Sequence, residues 1–257
     1  MVPLSFLLPV LFASQAFSQA PASVASQFAL STSTTLPFPK ATLNSSSTQS
    51  YIASYWGLSK GRIQNGASNL LFVKDPFPNA PAPSDSDSNN TNSSSPVLQV
   101  VYPAGSFQDN NIGGAQFYAM WNSSGSAFQS MLVTYEVAFD TDFDYVKGGK
   151  LPGLRGGPDV NNCSGGNQAN GTNCFSSRIM WRTDGNGEGM LVSSHVDYRF
   201  SCSVHKVYAY VPRDNGICSD TGVQCNDQFG ISLNRGSFVF TPGQCASYIL
   251  SSSSDCY

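Results

Sequence analysis

The chain has 257 residues, of which 40% are hydrophobic, 12% aromatic and only 11% charged. This length suffices for one good hydrophobic core, and all-β domains of this size are common. The formal net charge of −3 argues against nucleic acid as a partner. Low charge beside many Ser, Asn, Thr, Gly and Tyr residues is typical of secreted β-proteins.

The first 20 residues predict a secretory signal peptide. Their apolar run, residues 4–12, is too short to span a bilayer, and small residues follow it. Residues 21–50 are rich in Ser, Thr and Ala and predict a weakly structured lead-in. No later segment is apolar enough for a transmembrane helix. We therefore expect a secreted, extracellular protein with no membrane partner.

Residues 51–257 predict a single β-jelly-roll domain. Short strand-like runs lie between Gly, Asn and Pro turns, and Thr48–Trp56 is the best candidate for a helix. Residues 79–96 have low complexity and predict a mobile loop. Many short strands at this length predict an all-β jelly-roll sandwich with a concave substrate groove. The candidate strands are Leu70–Val73, Val97–Tyr102, Ala115–Met120, Ser130–Phe139, Phe175–Arg182, Lys206–Val211, Gly230–Ser232 and Ser237–Phe240.

Seven cysteines, all after residue 160, agree with export. No CxxC pair occurs, which disfavours zinc. We expect disulfides that close local loops, with Cys163–Cys174 and Cys218–Cys225 as the favoured pairs. Because seven is an odd number, one thiol must be left over or pair with another chain. Six Asn-x-Ser/Thr sequons predict exposed loops if the host glycosylates them. The sequon residues are Asn44, Asn89, Asn92, Asn122, Asn162 and Asn170.

Positive charge is concentrated in residues 147–213. This window holds eight of the 13 cations and four acids, so it carries +4 while the remainder carries −7. Such a field predicts an anionic ligand, although a mixed-charge solvated face is the alternative. The window begins with KGGKLPGLRGG, residues 147–157, which places Lys147, Lys150 and Arg155 among glycines. The glycines predict a tight turn that brings Lys150 over a sheet face.

Two later segments alternate as strands do. In FSSRIMWR, residues 175–182, Arg178 and Arg182 share one face with Ser176 and Met180, whereas Ser177, Ile179 and Trp181 form the buried face. In KVYAYVP, residues 206–212, Tyr208 and Tyr210 share a face, with Lys206 alongside.

These residue types suit acidic sugars. Aromatic rings stack on sugar faces, and arginine pairs with carboxylates. A lysine or tyrosine can move a proton once nearby positive charge lowers its pKa. Together they are the parts needed for elimination across a uronic-acid glycoside. In that reaction a cation neutralises the C6 carboxylate, a base removes the C5 proton, and a Tyr hydroxyl protonates the departing O4.

The ordered run KGGKLPGL, FSSRIMWR, VYAYVP, NRGSFVF and TPGQ, over roughly residues 97–245, resembles polysaccharide lyase family 14. These are alginate and glucuronan lyases with a β-jelly-roll fold. The resemblance implies β-elimination with no metal or other cofactor, which leaves a 4,5-unsaturated uronate. It leaves open whether Lys150, Tyr208 or Tyr210 is the base. The implied catalytic residues are Lys150, Ser176, Arg178, Tyr208 and Tyr210. We assign substrate binding to Lys147, Arg155, Arg182 and Lys206.

Other functions fit the sequence less well. A glycoside hydrolase needs two carboxylates across a cleft, yet only Glu136 and Glu188 are glutamates, and no GxSxG elbow occurs. The aspartates of FDTDFD, residues 139–144, favour a turn over a calcium site. A structural wall protein has only the Ser/Thr-rich leader in its favour. The serious alternative is a secreted module that binds acidic polysaccharide without cleaving it. In either case we expect a monomer whose partner is an anionic polysaccharide.

Overall fold

The computed structural model describes residues 22, 25–26, 29–77, 95–107, 112–121, 130–156, 174–192, 209–210, 223–226, 230–233 and 245–253. The chain divides into two compact units. We call them the helix unit, Leu30–Asp144 with Phe240–Tyr248, and the cationic unit, Met1–Ala29, Tyr145–Val239 and Ile249–Tyr257. The predicted signal peptide and most of the low-complexity segment lie outside the described residues. The single domain over 51–257 stays a prediction.

Among its described residues, the helix unit contains one α-helix, α1, at Ser45–Tyr55. It begins at the N-cap Asn44, whose side-chain oxygen accepts a hydrogen bond from the Ser47 amide at 2.9 Å. This cap places the start three residues before the predicted one, inside the stretch expected to be weakly structured. The prediction of a helix around residues 48–56 is confirmed. Within the described ranges, no helix is long and apolar enough to cross a membrane.

Strands of the helix unit form two small sheets. β1, Leu70–Val73, pairs antiparallel with β2, Val97–Val100. β3, Ser130–Ala138, pairs with β10, Cys245–Ser253, of which residues 245–248 are assigned to the helix unit and residues 249–253 to the cationic unit. The prediction of a strand over 115–120 is wrong, because this segment makes only isolated bridges. Its partner segment turns through glycines at positive φ, so no continuous ladder forms.

The core of the helix unit surrounds Phe72, which is fully buried. The Thr48 hydroxyl joins α1 to β1, because it donates to the Leu43 carbonyl and accepts from the Phe72 amide, each at 3.2 Å. The indole Nε1 of Trp56 donates to the Pro37 carbonyl at 2.7 Å. These bonds fix the helix and the chain that precedes it against the sheet.

The described strands of the cationic unit include β4 Gly149–Gly156, β5 Phe175–Trp181, β6 Gly187–Val192, β7 Ala209–Tyr210, β8 Val223–Asn226 and β9 Gly230–Leu233. They form a six-stranded sheet in the order β4-β5-β6-β7-β9-β8. Among the described strands of this sheet, only the β6–β7 pair is parallel. A 3₁₀ turn, Thr183–Gly185, connects β5 to β6.

Four strands were not predicted: β4, β6, β8 and β10. The glycines of β4 and β6 lower intrinsic strand preference, and pairing with neighbours overrides that preference. Of the predicted Lys206–Val211 strand, the structure describes residues 209–210, which are β7. The predicted strand at 237–240 lies outside the described residues.

Candidate active site

The segment that carries Lys150 is a strand with one β-bulge. Lys150 pairs with Met180 of β5, whereas Gly153 pairs with Arg178, so the register shifts between these two pairs. Residues 151–152 of β4 therefore face the single residue Ile179. Proline is tolerated at residue 152 because a bulge leaves one residue outside the ladder. The expected tight turn over 147–157 is wrong, since residues 149–156 are extended.

The bulge decides which side chains share a face. Lys150 and Arg155 are five positions apart, and a regular strand would place them on opposite faces. With the extra residue, Lys150 pairs with Met180 and Arg155 pairs with Ser176, and both partners lie on one face of β5. Lys150, Arg155 and Arg178 therefore share one face of the sheet.

Two glycines allow β4 to approach β5 closely. A Cβ on Gly153 would stand 1.7 Å from the Ser177 carbonyl oxygen. A Cβ on Gly149 would stand 1.9 Å from Cζ2 of Trp181. A side chain at Gly153 would force the strands apart, and one at Gly149 would displace the buried indole ring of Trp181. The glycines of this motif thus serve strand contact.

Lys150 is the residue whose charge the site perturbs most clearly. Its pKa is lowered, first because surrounding protein atoms remove water from the ammonium, then because Arg178 and Arg182 repel a further positive charge. The residue as a whole nevertheless keeps exposed surface. A ligand can therefore reach a lysine that releases its proton more readily than an ordinary one.

Arg178 is held by its own strand. Its Nη2 donates to the Ser176 hydroxyl at 3.1 Å. Ser176 is 3% exposed and Met180 5%, so the face predicted to be open is buried at these two positions. Arg178 is half-buried, and the opposite face of Ser177, Ile179 and Trp181 is buried as predicted.

The other predicted cations lie around the β4–β5 pair. Arg182 follows β5, and a Cβ on Gly148 would stand 3.0 Å from its Nη1. Lys147 is exposed just before β4. Arg155 is half-buried near the far end of β4, opposite Ser176. Lys206 lies outside the described residues.

The register extends towards the predicted tyrosines. Ser176 pairs with Val192 of β6, and Val192 pairs with Tyr210 of β7. Arg155, Ser176, Val192 and Tyr210 therefore occupy one row of register positions across four strands. Tyr208 lies outside the described residues. The structure thus gives the strand position of one predicted tyrosine.

Sequence reasoning missed the position of Glu188 in the sheet. Met180 pairs with Glu188 of β6, so Glu188 occupies the same row of register positions as Lys150. The signal was present, because TDGNG between FSSRIMWR and EGMLV predicts a hairpin between β5 and β6.

The described residues contain no group of three or more His, Cys, Asp or Glu that could hold a metal ion. In the FDTDFD segment the Phe143 amide donates to the Asp140 carbonyl at 3.0 Å, so the predicted turn is confirmed. Cys174, directly before β5, is buried and disulfide-bonded. Its predicted partner, Cys163, lies outside the part of the chain that the structure describes, so that pairing stays a prediction.

The family model for polysaccharide lyase 14 matches residues 90–203 and 192–249, which is more than half of the chain. The chain belongs to polysaccharide lyase family 14. It is therefore a polysaccharide lyase, and the resemblance carried by the motifs is confirmed.

A solved structure supports the same assignment. This lyase is similar to the crystal structure of the marine PL-14 alginate lyase from Aplysia kurodai, with a TM-score of 0.54 and 26% sequence identity. The match covers 84% of this chain and 71% of that chain. No curated protein matches the lyase. The predicted all-β, jelly-roll fold class is confirmed by this match and by the strand content.

Proposed function

We propose that this lyase cleaves a uronic-acid polysaccharide, of the alginate or glucuronan type, by metal-independent β-elimination. The observation that carries the proposal is the placement of Lys150. It shares a sheet face with Arg178, and its pKa is lowered by burial and by Arg178 and Arg182. Concentrated positive charge favours an anionic sugar.

Elimination requires that the proton on C5 be made more acidic. Arg178, held by the Ser176 hydroxyl, binds the C6 carboxylate and withdraws electron density from C5. A base takes the C5 proton, and the C–H electron pair forms the C4=C5 double bond. The C4–O4 bond breaks, and O4 leaves with a proton from an acid. The products are a 4,5-unsaturated uronate and a fragment with a free hydroxyl.

Lys150 suits the role of base because a lowered pKa leaves more of its amine neutral at a given pH. Tyr210, in the row of register positions that contains Ser176, suits the role of proton donor to O4. Tyr208, two residues earlier in the sequence, is the second candidate for that role. Either tyrosine is the alternative base.

The proposal assigns charge neutralisation to arginine side chains, which is why the reaction needs no metal. A guanidinium binds a carboxylate in bidentate geometry and stays charged throughout the working pH range. Lys147, Arg155, Arg182 and Lys206 bind carboxylates of neighbouring sugar units. The apolar run in residues 1–20 and the disulfide at Cys174 support secretion, and we propose that the lyase acts outside the cell as a monomer.

The test is incubation of the purified lyase with polymannuronate, polyguluronate and glucuronan separately, with neutral cellulose as the control. The ultraviolet absorbance of the unsaturated uronate should rise with at least one polyuronate and stay flat with cellulose. Chelation by EDTA should leave the rate unchanged. Binding to every polyuronate without any rise in absorbance would contradict cleavage and favour the binding module. Loss of activity in EDTA, restored by a divalent cation, would contradict metal independence.

A further inference from the structure

The helix unit carries exposed aromatic rings that the proposed elimination does not use. Tyr55 is 61% exposed and Phe38 is 40% exposed. The Tyr51 and Tyr55 rings have centroids 4.6 Å apart. Phe38 and Tyr51 both contact the buried Phe72, at centroid distances of 5.3 and 5.5 Å. Phe38, Tyr51 and Tyr55 therefore form one connected group, the aromatic platform.

The platform is rigidly supported. The Trp56 indole donates to the Pro37 carbonyl at 2.7 Å, which fixes the chain next to Phe38. The Asn44 cap fixes the start of α1. Rings held in this way lose little conformational freedom when a ligand stacks on them. This arrangement favours binding.

The exposed surface of α1 offers hydroxyl groups beside the rings. Ser47, Tyr51 and Tyr55 follow at four-residue intervals and form one stripe along the helix. The neighbouring stripe contains only exposed serines, and α1 has no charged residue. A protein-binding helix presents apolar anchors at several turns instead. The serines of that stripe are Ser46, Ser50 and Ser54.

The surrounding segment is positively charged although the whole chain is negative. Residues 30–77 contain four cations, all exposed, and a single acid, Asp75. Lys40 lies two residues after Phe38, and Lys74 lies two residues after Phe72. The antiparallel bridge between Leu43 and Phe72 keeps their two segments side by side. The field of these cations attracts a polyanion. The four cations are Lys40, Lys60, Arg62 and Lys74.

We propose that the aromatic platform is a second polysaccharide-binding site, which takes an anionic polysaccharide chain. Its rings stack on sugar faces, and Lys40 and Lys74 attract the carboxylates. The site lies before residue 90, where the family match begins, and in a different unit from Lys150. Holding the polymer at two sites raises its effective concentration at the catalytic one. The negative charge of the ligand rests on the proposed function.

Retention in native gels that contain alginate tests this site without turnover. The Lys150→Ala protein is the parent, and Tyr55→Ala is added to it. Because an aromatic contact is worth a modest energy, Tyr55→Ala should weaken retention roughly two- to tenfold. Tyr55→Phe keeps the ring and should retain binding. Phe107→Ala removes another aromatic residue of the helix unit, 48% exposed, and should leave retention unchanged.

Two further comparisons separate this proposal from the proposed function. In the active lyase, Tyr55→Ala should lower kcat/KM on the polymer but not on a uronate tetrasaccharide. Lys40→Ala with Lys74→Ala should weaken retention most at low salt. Unchanged retention in both platform variants would overturn the second site, even if the lyase is active. If no polyuronate is cleaved, the proposed function fails while platform-dependent retention still supports this site. Equal retention by neutral cellulose would overturn the assigned charge of the ligand.

Discussion

The two units of the lyase use cations and aromatic residues in different surroundings. In the cationic unit, Lys150 keeps exposed surface, but partial loss of water and the nearby charges of Arg178 and Arg182 lower the pKa of its ammonium. In the helix unit, Lys40 and Lys74 are exposed. Loss of water shifts the pKa of a charged group, whereas a fully hydrated cation only attracts anions, and salt screens that attraction. The comparison teaches that partial loss of water beside other cations suits the first unit to proton transfer, whereas exposed cations beside aromatic rings suit the second unit to binding.

The largest expected effect is that of replacing Lys150, the lysine with the lowered pKa. Lys150→Ala should lower kcat about 10²- to 10⁴-fold, because this is the usual contribution of a general base. Lys150→Arg keeps a positive charge but cannot supply a neutral amine, so its kcat should fall nearly as far as that of Lys150→Ala. The measurement is the initial rate of absorbance increase on a polyuronate. Lys147→Ala is the matched control: because Lys147 is exposed in the same motif and is assigned to substrate binding, its loss should raise KM but leave kcat nearly unchanged.

High activity in Lys150→Arg would show that Lys150 acts through its charge. The base would then be one of the two tyrosines, and the lowered pKa of Lys150 would no longer distinguish its role from that of Lys40 and Lys74. Retention of polymer by Lys150→Ala is expected, because the arginines remain.

Alternation predicted one part of this site well. β5 is regular from Phe175 to Trp181, so a period of two placed Ser176 and Arg178 on one face and Ile179 on the other. The same rule failed for β4. Lys150 and Arg155 share a face only because of the bulge, and a bulge depends on pairing with a partner strand that the sequence does not display.

The second prediction concerns the close contact that creates this face. Gly153→Ala should destabilise the lyase by about 3 kcal/mol, because its Cβ would meet the backbone oxygen of Ser177, which cannot rotate away. Activity should fall as Lys150 and Arg178 lose their register. Chemical denaturation measures the first effect and the initial rate measures the second.

Gly105→Ala is a useful contrast in the helix unit, since a Cβ there meets no atom within 4 Å although φ is +73°. It should cost only the strain of a left-handed alanine, about 1 kcal/mol. Equal losses in the two variants would contradict the argument from close strand contact.

The composition of β4 explains why the close contact between β4 and β5 was not predicted. Glycine and proline usually indicate turns, and they predicted one over residues 147–157. Whether a glycine turns the chain or admits a neighbouring strand depends on what packs against it. In contrast, α1 was located approximately from its local sequence, but its start was missed, because the Asn44 cap lies in the Ser/Thr-rich stretch that was expected to be weakly structured.

The third prediction tests whether the helix unit can be weakened without affecting the chemistry. Thr48→Val removes the hydroxyl that bonds Leu43 and Phe72 while nearly keeping the side-chain shape. The Phe72 amide still donates to the Leu43 carbonyl at 3.1 Å, so the cost should be about 1 kcal/mol. The rate on a tetrasaccharide should not change. Thr48→Ser keeps the hydroxyl, and a larger loss in Thr48→Ser than in Thr48→Val would contradict the role of this bond.

The smallest expected effect is a shift in pH dependence. The pKa of Lys150 lies below its ordinary value of 10.5, in part because of Arg182. With Lys150 as the base, kcat/KM rises as pH passes upward through this lowered pKa. Arg182→Gln removes one repelling charge, so the pKa rises and the rising limb moves to higher pH. Between the lowered pKa and 10.5 the unfolded chain binds more protons at Lys150, so its contribution makes stability increase with pH there.

Lys147→Gln separates this local effect from a general change in charge. It removes the same charge from the same motif, but Lys147 is not among the groups that lower the pKa of Lys150. We expect the limb to move in Arg182→Gln and to stay in Lys147→Gln. The slope of unfolding free energy against pH should also decrease only in Arg182→Gln, because its folded-state Lys150 is closer to an ordinary lysine. An equal shift of the rising limb in both variants would mean that the net charge of the unit, rather than the neighbouring Arg178 and Arg182, sets the pKa of Lys150. The distinction between the two units would then rest on net charge alone.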